Sequence, residues 1–324
     1  MKILVVGCGS IGRRHLDNLV ALGEADILVH DIDEERLAGI QMVYPDVVTS
    51  SDIEELWTLD PSVAVITSPT NLHLEHALDA AARGCDLLIE KPLADSADGL
   101  DELERLVVQN ELVTMVACNM RFHWGLRAVK RLLDQGDIGR IVSARIEAGQ
   151  YLPDWHPQED YRCMYSARRS AGGGVLLDSI HELDYAMWFF GDVTEIKSMH
   201  GHLSSLEIDT EDVGDMLLRF RDGPIVNVHV DYVQRAYSRS CKIIGELGTI
   251  FWDIGARSVR IYRSVSGRWA THRQPSEYSI GQMYVDEMRY FLGCVRRREQ
   301  TFNDVGRARE TLRVALAAKG EVSI

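Results

Sequence analysis

The sequence predicts an α/β chain in two parts: a doubly wound parallel sheet over residues 1–120, then an α/β domain with an open, mainly antiparallel sheet over residues 121–324. Three observations predict it. Short apolar strands alternate with helical patterns through the first part. A glycine-rich turn joins the first strand to the first helix. The second part strings strand-like runs together with short turns.

In the first part, Ile3–Val6 reads as a strand and Ile11–Ala21 as a helix, with Ile27–His30 the second strand. Ser51 and Glu54 have capping-box spacing around the short apolar set Ile53, Leu56 and Trp57. Val63–Thr67 is a strand, and Leu74–Arg83 a helix stopped by Gly84. Leu87–Ile89 and Val113–Ala117 are strands flanking a helix over Ala97–Gln109. Right-handed crossovers then place helices on both faces of one parallel sheet.

The second part opens with a helix over Trp124–Leu133, ended by Gln135-Gly136, and a strand over Ile141–Ala148. Gln150–Ala171 is polar and aromatic with no period. A helix over Ser179–Phe190 stops at Gly191. Strands follow at Glu195–His200, Val213–Phe220, Ile225–Tyr232, Ser240–Ile244, Thr249–Asp253 and Ser258–Tyr262. Asp222-Gly223-Pro224 and Gly245-Glu246-Leu247-Gly248 mark turns between some of them. Helices over Met283–Arg297 and Arg307–Ala318 close the pattern.

The 324 residues suit two domains. A net charge of −14 argues against a nucleic-acid partner, because phosphate backbones need clustered Lys and Arg. The six cysteines show no metal or redox spacing and read as reduced thiols of a cytoplasmic protein. The apolar run at Ile3–Val6 is too short for a leader. No window approaches the ~20 apolar residues of a membrane span.

Gly7-Cys8-Gly9-Ser10-Ile11-Gly12 has the form G-x-G-x-x-G and sits between a strand and a helix. Gly7 suits the tight turn, Gly9 lets the backbone approach a pyrophosphate, and Gly12 allows close helix–strand packing. The pyrophosphate would rest on the helix N-terminus at Ser10 and Ile11. Asp31 lies 19 residues beyond Gly12, at the end of the second strand. An acid there accepts from the adenosine ribose hydroxyls and repels a 2′-phosphate. The part is therefore expected to be a Rossmann domain that prefers NAD. Arg13, Arg14 and Arg36 keep NADP open.

Ligands of such sheets bind beyond the carboxyl ends of the strands. Ser68-Pro69-Thr70-Asn71-Leu72-His73 follows one strand and Glu90-Lys91-Pro92 the next. Ser68, Pro69, Asn71, His73, Glu90, Lys91 and Asn119 are the candidates on the cofactor side. His73, like His76, also reads as a helix-surface or capping residue. A lysine at a strand end can orient a substrate hydroxyl or share its proton, and burial would lower its pKa to suit.

Four segments together resemble the Gfo/Idh/MocA oxidoreductases, the family of glucose–fructose oxidoreductase and inositol dehydrogenase. They are the glycine fingerprint, Glu90-Lys91-Pro92, Asn119-Met120-Arg121-Phe122, and Gly172-Gly173-Gly174-Val175-Leu176-Leu177-Asp178-Ser179-Ile180-His181-Glu182-Leu183-Asp184. The resemblance spans nearly the whole chain. It implies an N-terminal Rossmann domain and a C-terminal α/β domain whose large open sheet pairs subunits into homodimers or homotetramers. It also implies hydride transfer at a carbinol of a sugar, cyclitol or nucleotide sugar.

By that resemblance Lys91, Asp178 and His181 line the substrate pocket. His181 is the natural proton acceptor, because imidazole titrates near neutral pH. Lys91 would stabilise developing charge on the reacting oxygen. Asp178 would hold the substrate or tune the other two. The family's Asp and His are usually four residues apart; here they are three apart, a spacing that still keeps both on one face of a helix. No recognised metal spacing accompanies them, and no metal is expected.

The stretch Tyr151-Leu-Pro-Asp-Trp155-His156, with Asp160-Tyr161-Arg162 and Tyr165-Ser166-Ala167-Arg168-Arg169, mixes aromatic and charged residues as a ligand-reading loop does. Its pattern is similar to family members of cell-surface carbohydrate and nonulosonate pathways. Trp155, Tyr161, Arg162, Arg168 and Arg121 join Lys91, Asp178 and His181 as substrate-side candidates. One of Arg162, Arg168 and Arg169 is expected to meet a carboxylate or phosphate. Two other readings stand beside the dehydrogenase: a glycoside hydrolase that retains its NAD, and a nicotinamide-binding regulator without catalysis.

Overall fold

The computed structural model describes every residue except His156 and Asp222. The expected turn at Asp222 and the loop position His156 therefore lie outside the described residues. The chain forms two compact units, Met1–Cys118 with Tyr284–Arg309, and Asn119–Met283 with Glu310–Ile324. Sequence reading set a single boundary near residue 120 and assigned everything after it to the second part.

The first unit runs β1 (Ile3–Val6), α1 (Ser10–Ala21), β2 (Ile27–His30), α2 (Glu34–Val43), β3 (Val48–Ser50), α3 (Ile53–Trp57), β4 (Val63–Ile66), α4 (His73–Ala82), β5 (Asp86–Glu90), α5 (Leu100–Gln109) and β6 (Thr114–Ala117). Its six strands are parallel, in the order β3-β2-β1-β4-β5-β6. Every residue of β1, β2, β4, β5 and β6 is buried, as a sheet covered on both faces requires. The strand order reverses between β1 and β4, and there the carboxyl ends open a crevice for a ligand.

Two elements of this unit, α2 and β3, carry too little apolar period to be seen in the sequence. Only Leu37 and Ile40 of α2 are buried. The cap of α3 is Asp52, whose carboxylate accepts from the Glu54 amide at 2.9 Å, in place of the expected Ser51. The segment from Tyr284 seals the sheet's open edge. Asn303 donates to the Val116 carbonyl and its own carbonyl accepts from the Val116 amide, while Thr301 donates to Thr114. An edge strand capped in this way presents no free ladder to another chain.

The second unit holds α6 (Trp124–Asp134), β7 (Ile141–Gly149), α7 (Val175–Asp178), α8 (His181–Phe190), β8 (Val193–Gly201), β9 (Val213–Phe220), β10 (Ile225–Asp231), β11 (Ser238–Gly245), β12 (Gly248–Asp253), β13 (Ser258–Arg263) and β14 (Arg268–Arg273). Two helices follow in the chain, α9 (Gly281–Arg297) and α10 (Val305–Ala318). The eight strands lie in the order β14-β13-β12-β11-β7-β10-β9-β8. Every pairing is antiparallel except β7 with β10. β14 was not read from the sequence, because all six of its residues are exposed. Among the described residues, no helix is long and apolar enough to cross a membrane.

Alternation along β9 buries Gly214, Met216, Leu218 and Phe220 and leaves Asp215, Leu217 and Arg219 outside. The buried face meets the helices: α6 packs on β12 and α8 on β7. Gly125 makes the first of these possible, since a Cβ there would lie 2.1 Å from the Trp252 indole nitrogen.

The opposite face carries a charge cluster. His229 of β10 contacts Asp231 at 3.3 Å through Nε2 and Asp215 of β9 at 3.0 Å through Nδ1. The Asp231 bond, aided by Asp215, outweighs burial and lifts the imidazole pKa to about 9. A raised histidine pKa stabilises the fold fully below the unfolded value, and that gain is lost as pH rises through the folded one. The ring is 35% exposed, so screening holds the gain below about 1 kcal/mol. His229→Gln should lower the thermal midpoint relative to the parent near pH 6 and leave it unchanged near pH 10. An equal deficit at both would remove the charge from the account.

Candidate functional site

The turn after β1 is built as a phosphate cradle. Gly7 has φ +93°, and a Cβ on it would press within 2.9 Å of the Ser68 backbone. A Cβ on Gly12 would come 2.0 Å from the Gly7 carbonyl oxygen, so α1 lies against the turn only with glycine there. Thr67 locks this contact by donating to the Gly7 carbonyl at 2.7 Å. The Cβ position of Gly9, by contrast, meets nothing within 4 Å. Gly9 caps α1 with no side-chain hydrogen bond, and no acid stands in the first turn. The helix start at Ser10 and Ile11 therefore keeps its amides and its positive dipole end for an anion.

Asp31 follows β2 and is 5% exposed. Its carboxylate accepts from the Cys8 amide at 2.6 Å and the Asp33 amide at 2.9 Å. These bonds fix it beside the turn and leave acceptor capacity for two ribose hydroxyls. Arg36 lies 3.6 Å from Asp31 and 3.3 Å from Asp33. Two carboxylates thus neutralise the Arg36 guanidinium, a candidate for holding a 2′-phosphate. The residues fit NAD better than NADP.

The strand-end loops complete this unit's side of the site. Pro69 and Asn71 are exposed beyond β4, while Ser68 is half-buried. Glu90 ends β5, buried. One of its oxygens lies 2.7 Å from His15 Nε2 of α1, and the other accepts from the Lys91 amide at 3.1 Å. Burial pushes the Glu90 carboxyl up, but the His15 bond and the charges around it hold it below the ordinary range. Lys91 is half-buried and joined to Pro92 by a cis peptide. No local pattern marks His15; only its register on α1 and the strand order bring it to Glu90.

In the second unit, Asp178 is the last residue of α7 and His181 the first of α8. The sequence predicts a helix from Ser179 and a shared helix face for the two residues. The structure instead places Asp178 and His181 on two helices, separated at Ser179–Ile180. Gly174 makes the entry, with φ +115° and the Glu211 carboxylate where a Cβ would stand. Asp178 is buried and accepts from three hydroxyls: Tyr165 at 2.7 Å, Ser166 at 2.7 Å and Tyr232 at 3.1 Å. It knits the loop to the end of β10. Tyr232 and Ser166 were not singled out as partners, because they lie 54 and 12 residues away in sequence. His181 is buried at 8% exposure.

Both parts of this chain match one protein family. Residues 1–118 match an oxidoreductase family with an NAD-binding Rossmann fold, and residues 126–251 match the GFO/IDH/MocA C-terminal domain. The chain belongs to the Gfo/Idh/MocA oxidoreductases. It is an NAD-binding oxidoreductase. Among curated relatives, it is 27% identical over 273 residues to the myo-inositol 2-dehydrogenase of Thermotoga maritima, covering 78% of this chain and 75% of that one. It is 26% identical to inositol 2-dehydrogenase 3 of Saccharopolyspora erythraea, covering 77% and 72%. A levoglucosan dehydrogenase solved with NADH and levoglucosan shares its fold, with a TM-score of 0.87 at 20% identity over 99% of this chain and 96% of that one. So does an Agrobacterium radiobacter oxidoreductase solved with NAD+, L-tartaric acid and magnesium, at 0.86 and 21% over 99% and 96%.

The substrate-side candidates of this Gfo/Idh/MocA chain fall into distinct environments. Arg121 is buried and pairs bidentately with Asp184, at 2.8 and 2.7 Å. Arg162 is exposed and held by Asp160 and Glu207, both at 2.7 Å. Its pKa is raised by those two carboxylates. The Arg169 amide and guanidinium both reach Asp209. The Arg168 guanidinium donates to the Arg162 carbonyl, at 3.2 Å, and has no ion pair among the described residues. Tyr161 accepts from the Glu207 amide through its hydroxyl. Trp155 stands edge-on to Tyr232 at 5.4 Å, with its buried indole N–H unpartnered among the described residues. The buried amide oxygen of Asn119 is likewise unpartnered. Orphaned groups of this kind suit a ligand that supplies the missing bond.

Proposed function

We propose that this chain transfers a hydride between NAD and a carbinol of a sugar, cyclitol or nucleotide sugar. One observation carries the reading. The Lys91 main chain is tied through Glu90 to His15 of α1, the helix whose N-terminus would carry the pyrophosphate. The lysine and the dinucleotide cradle are thereby built on one rigid frame. The inositol 2-dehydrogenase relatives support the polyol substrate class. The nicotinamide supplies the hydride acceptor or donor when bound.

Lys91 donates to the reacting oxygen and stabilises its developing charge. His181 takes the hydroxyl proton. Asp178, bound to three hydroxyls, positions the Tyr165–Ser166 loop. The indole N–H of Trp155 donates to a substrate oxygen, and the Asn119 amide oxygen accepts from a ligand donor. Arg168, with no acid partner among the described residues, pairs with an anionic substituent of the substrate. The protein acts in the cytoplasm as a homodimer or homotetramer; the outward Leu217, Ile225 and Ile244 of the open sheet face suit such pairing.

Purified protein is tested with NAD and NADP against inositols, anhydrosugars, free sugars, acidic sugars and sugar nucleotides, following reduced cofactor. Turnover with NAD on at least one polyol is expected, and none on any of them ends the reading. Arg168→Ala should lower kcat/KM roughly 10- to 100-fold on an acidic sugar and less than about twofold on a neutral one, the size of one charge-assisted bond. Equal losses on both would take Arg168 out of recognition.

A further inference from the structure

His73 opens α4 and is 2% exposed. Its Nδ1 lies 2.7 Å from the Pro92 carbonyl oxygen and its Nε2 2.9 Å from the Ser68 carbonyl oxygen. Ser68 belongs to the loop after β4, and Pro92 directly follows Lys91 after β5. A single ring therefore bridges the two adjacent strand-end loops. His76, one turn along α4, bonds the Ser68 hydroxyl at 2.9 Å and holds the same loop from beside it. Sequence reading offered His73 as a cofactor contact or a helix cap. Its two nitrogens instead meet two main-chain acceptors.

Imidazole suits this place because it carries two polar atoms on separate edges of a rigid plane. A neutral ring donates to one carbonyl, and an imidazolium donates to both. Burial pushes the pKa of His73 down, against the pull of the Pro92 carbonyl and the Glu90 charge. As an imidazolium the ring ties both loops by hydrogen bonds; as a neutral ring it donates to one carbonyl and packs against the other.

We propose that His73 is a positioning residue: it ties the Ser68 loop to the Lys91–Pro92 segment and so sets where the Lys91 ammonium stands. Glu90 holds the Lys91 amide on one side, and His73 holds the next carbonyl on the other. The lysine's main chain is thus gripped from both directions. Small displacements of a group that contacts the reacting oxygen reduce turnover steeply. This proposal rests on the role given to Lys91 above.

A double-mutant cycle on the full-length enzyme tests it. His73→Ala should lower kcat roughly 10- to 100-fold, leave the NADH dissociation constant within about twofold, and speed amide exchange at residues 89–93. His73→Gln, which keeps one donor arm, should recover part of the loss. In a Lys91→Ala background, His73→Ala should change kcat less than about twofold, because the residue acts through Lys91. Should the alanine variant not fold, His73→Gln carries the same cycle. Additive losses in the double variant overturn the proposal alone. Roughly tenfold weaker NADH binding with unchanged kcat also overturns it, and makes His73 a cofactor contact. Full turnover by Lys91→Ala overturns the role of Lys91 and this proposal with it.

Discussion

Lys91→Ala is expected to lower kcat about 10²- to 10⁴-fold, the range for removing a positioned proton-sharing or charge-stabilising group. NADH affinity should stay within about twofold and the thermal midpoint should not move. The reasons are structural. Lys91 stands beyond the last residue of β5 and is half-buried, so its side chain is not part of the sheet's buried layers. Its backbone is held by Glu90 and is untouched by the substitution. The cradle at Gly7, Gly9 and Gly12 lies on a different strand connection. Loss confined to kcat and kcat/KM marks an interaction made in the transition state. Lys91→Arg should not restore turnover, because a planar, permanently charged fork cannot replace a compact ammonium. An alanine variant that loses NADH affinity in proportion to rate would instead make Lys91 a cofactor anchor.

How far the site was legible follows from how local its parts are. The cradle was readable because strand, glycines and helix occupy one short stretch, and each glycine has a steric reason set by its neighbours. Asp31 was readable because a βαβ unit fixes how far the next strand end lies from the turn. The parallel, doubly wound character of the first sheet followed from alternation and handedness, while α2 and β3 escaped because they bury too little to show a period. The supports of the site were not readable. His15 reaches Glu90 across 75 residues, and Tyr232 reaches Asp178 across 54. Nothing in the composition around either pair signals the other. Arginine was legible as a type and not as a state: only the folded chain shows that Arg121 and Arg162 have acid partners and that Arg168 has none among the described residues. The shared helix face expected of Asp178 and His181 failed for a related reason. Ser179 and Ile180 carry no breaker, and the break is imposed by what each half packs against.

Asp184→Ala should be the most destabilising of the substitutions considered. Asp184 and Arg121 retain 1% and 3% side-chain exposure, and the guanidinium lies 5.9 Å from the Trp188 ring centre. Removing the carboxylate leaves a charge in the core with its main counter-charge gone, which costs about 3–5 kcal/mol. For a protein of this size each kcal/mol lowers the midpoint roughly 1–2 °C, so a fall of about 3–10 °C is expected by calorimetry. Arg121→Met should lose a similar amount, since it strands the carboxylate. The pair Arg121→Met with Asp184→Leu should recover most of the loss, because two apolar side chains need no compensation in that environment. Asp184 lies in the first turn of α8, whose first residue is His181. The single variants should therefore also lower turnover, and the double variant should restore it together with the midpoint. The sequence offered Arg121 as a substrate ligand, and the same variants separate the two roles. Arg121→Met with an unchanged midpoint and KM raised about tenfold would assign the guanidinium to the substrate and not to the core.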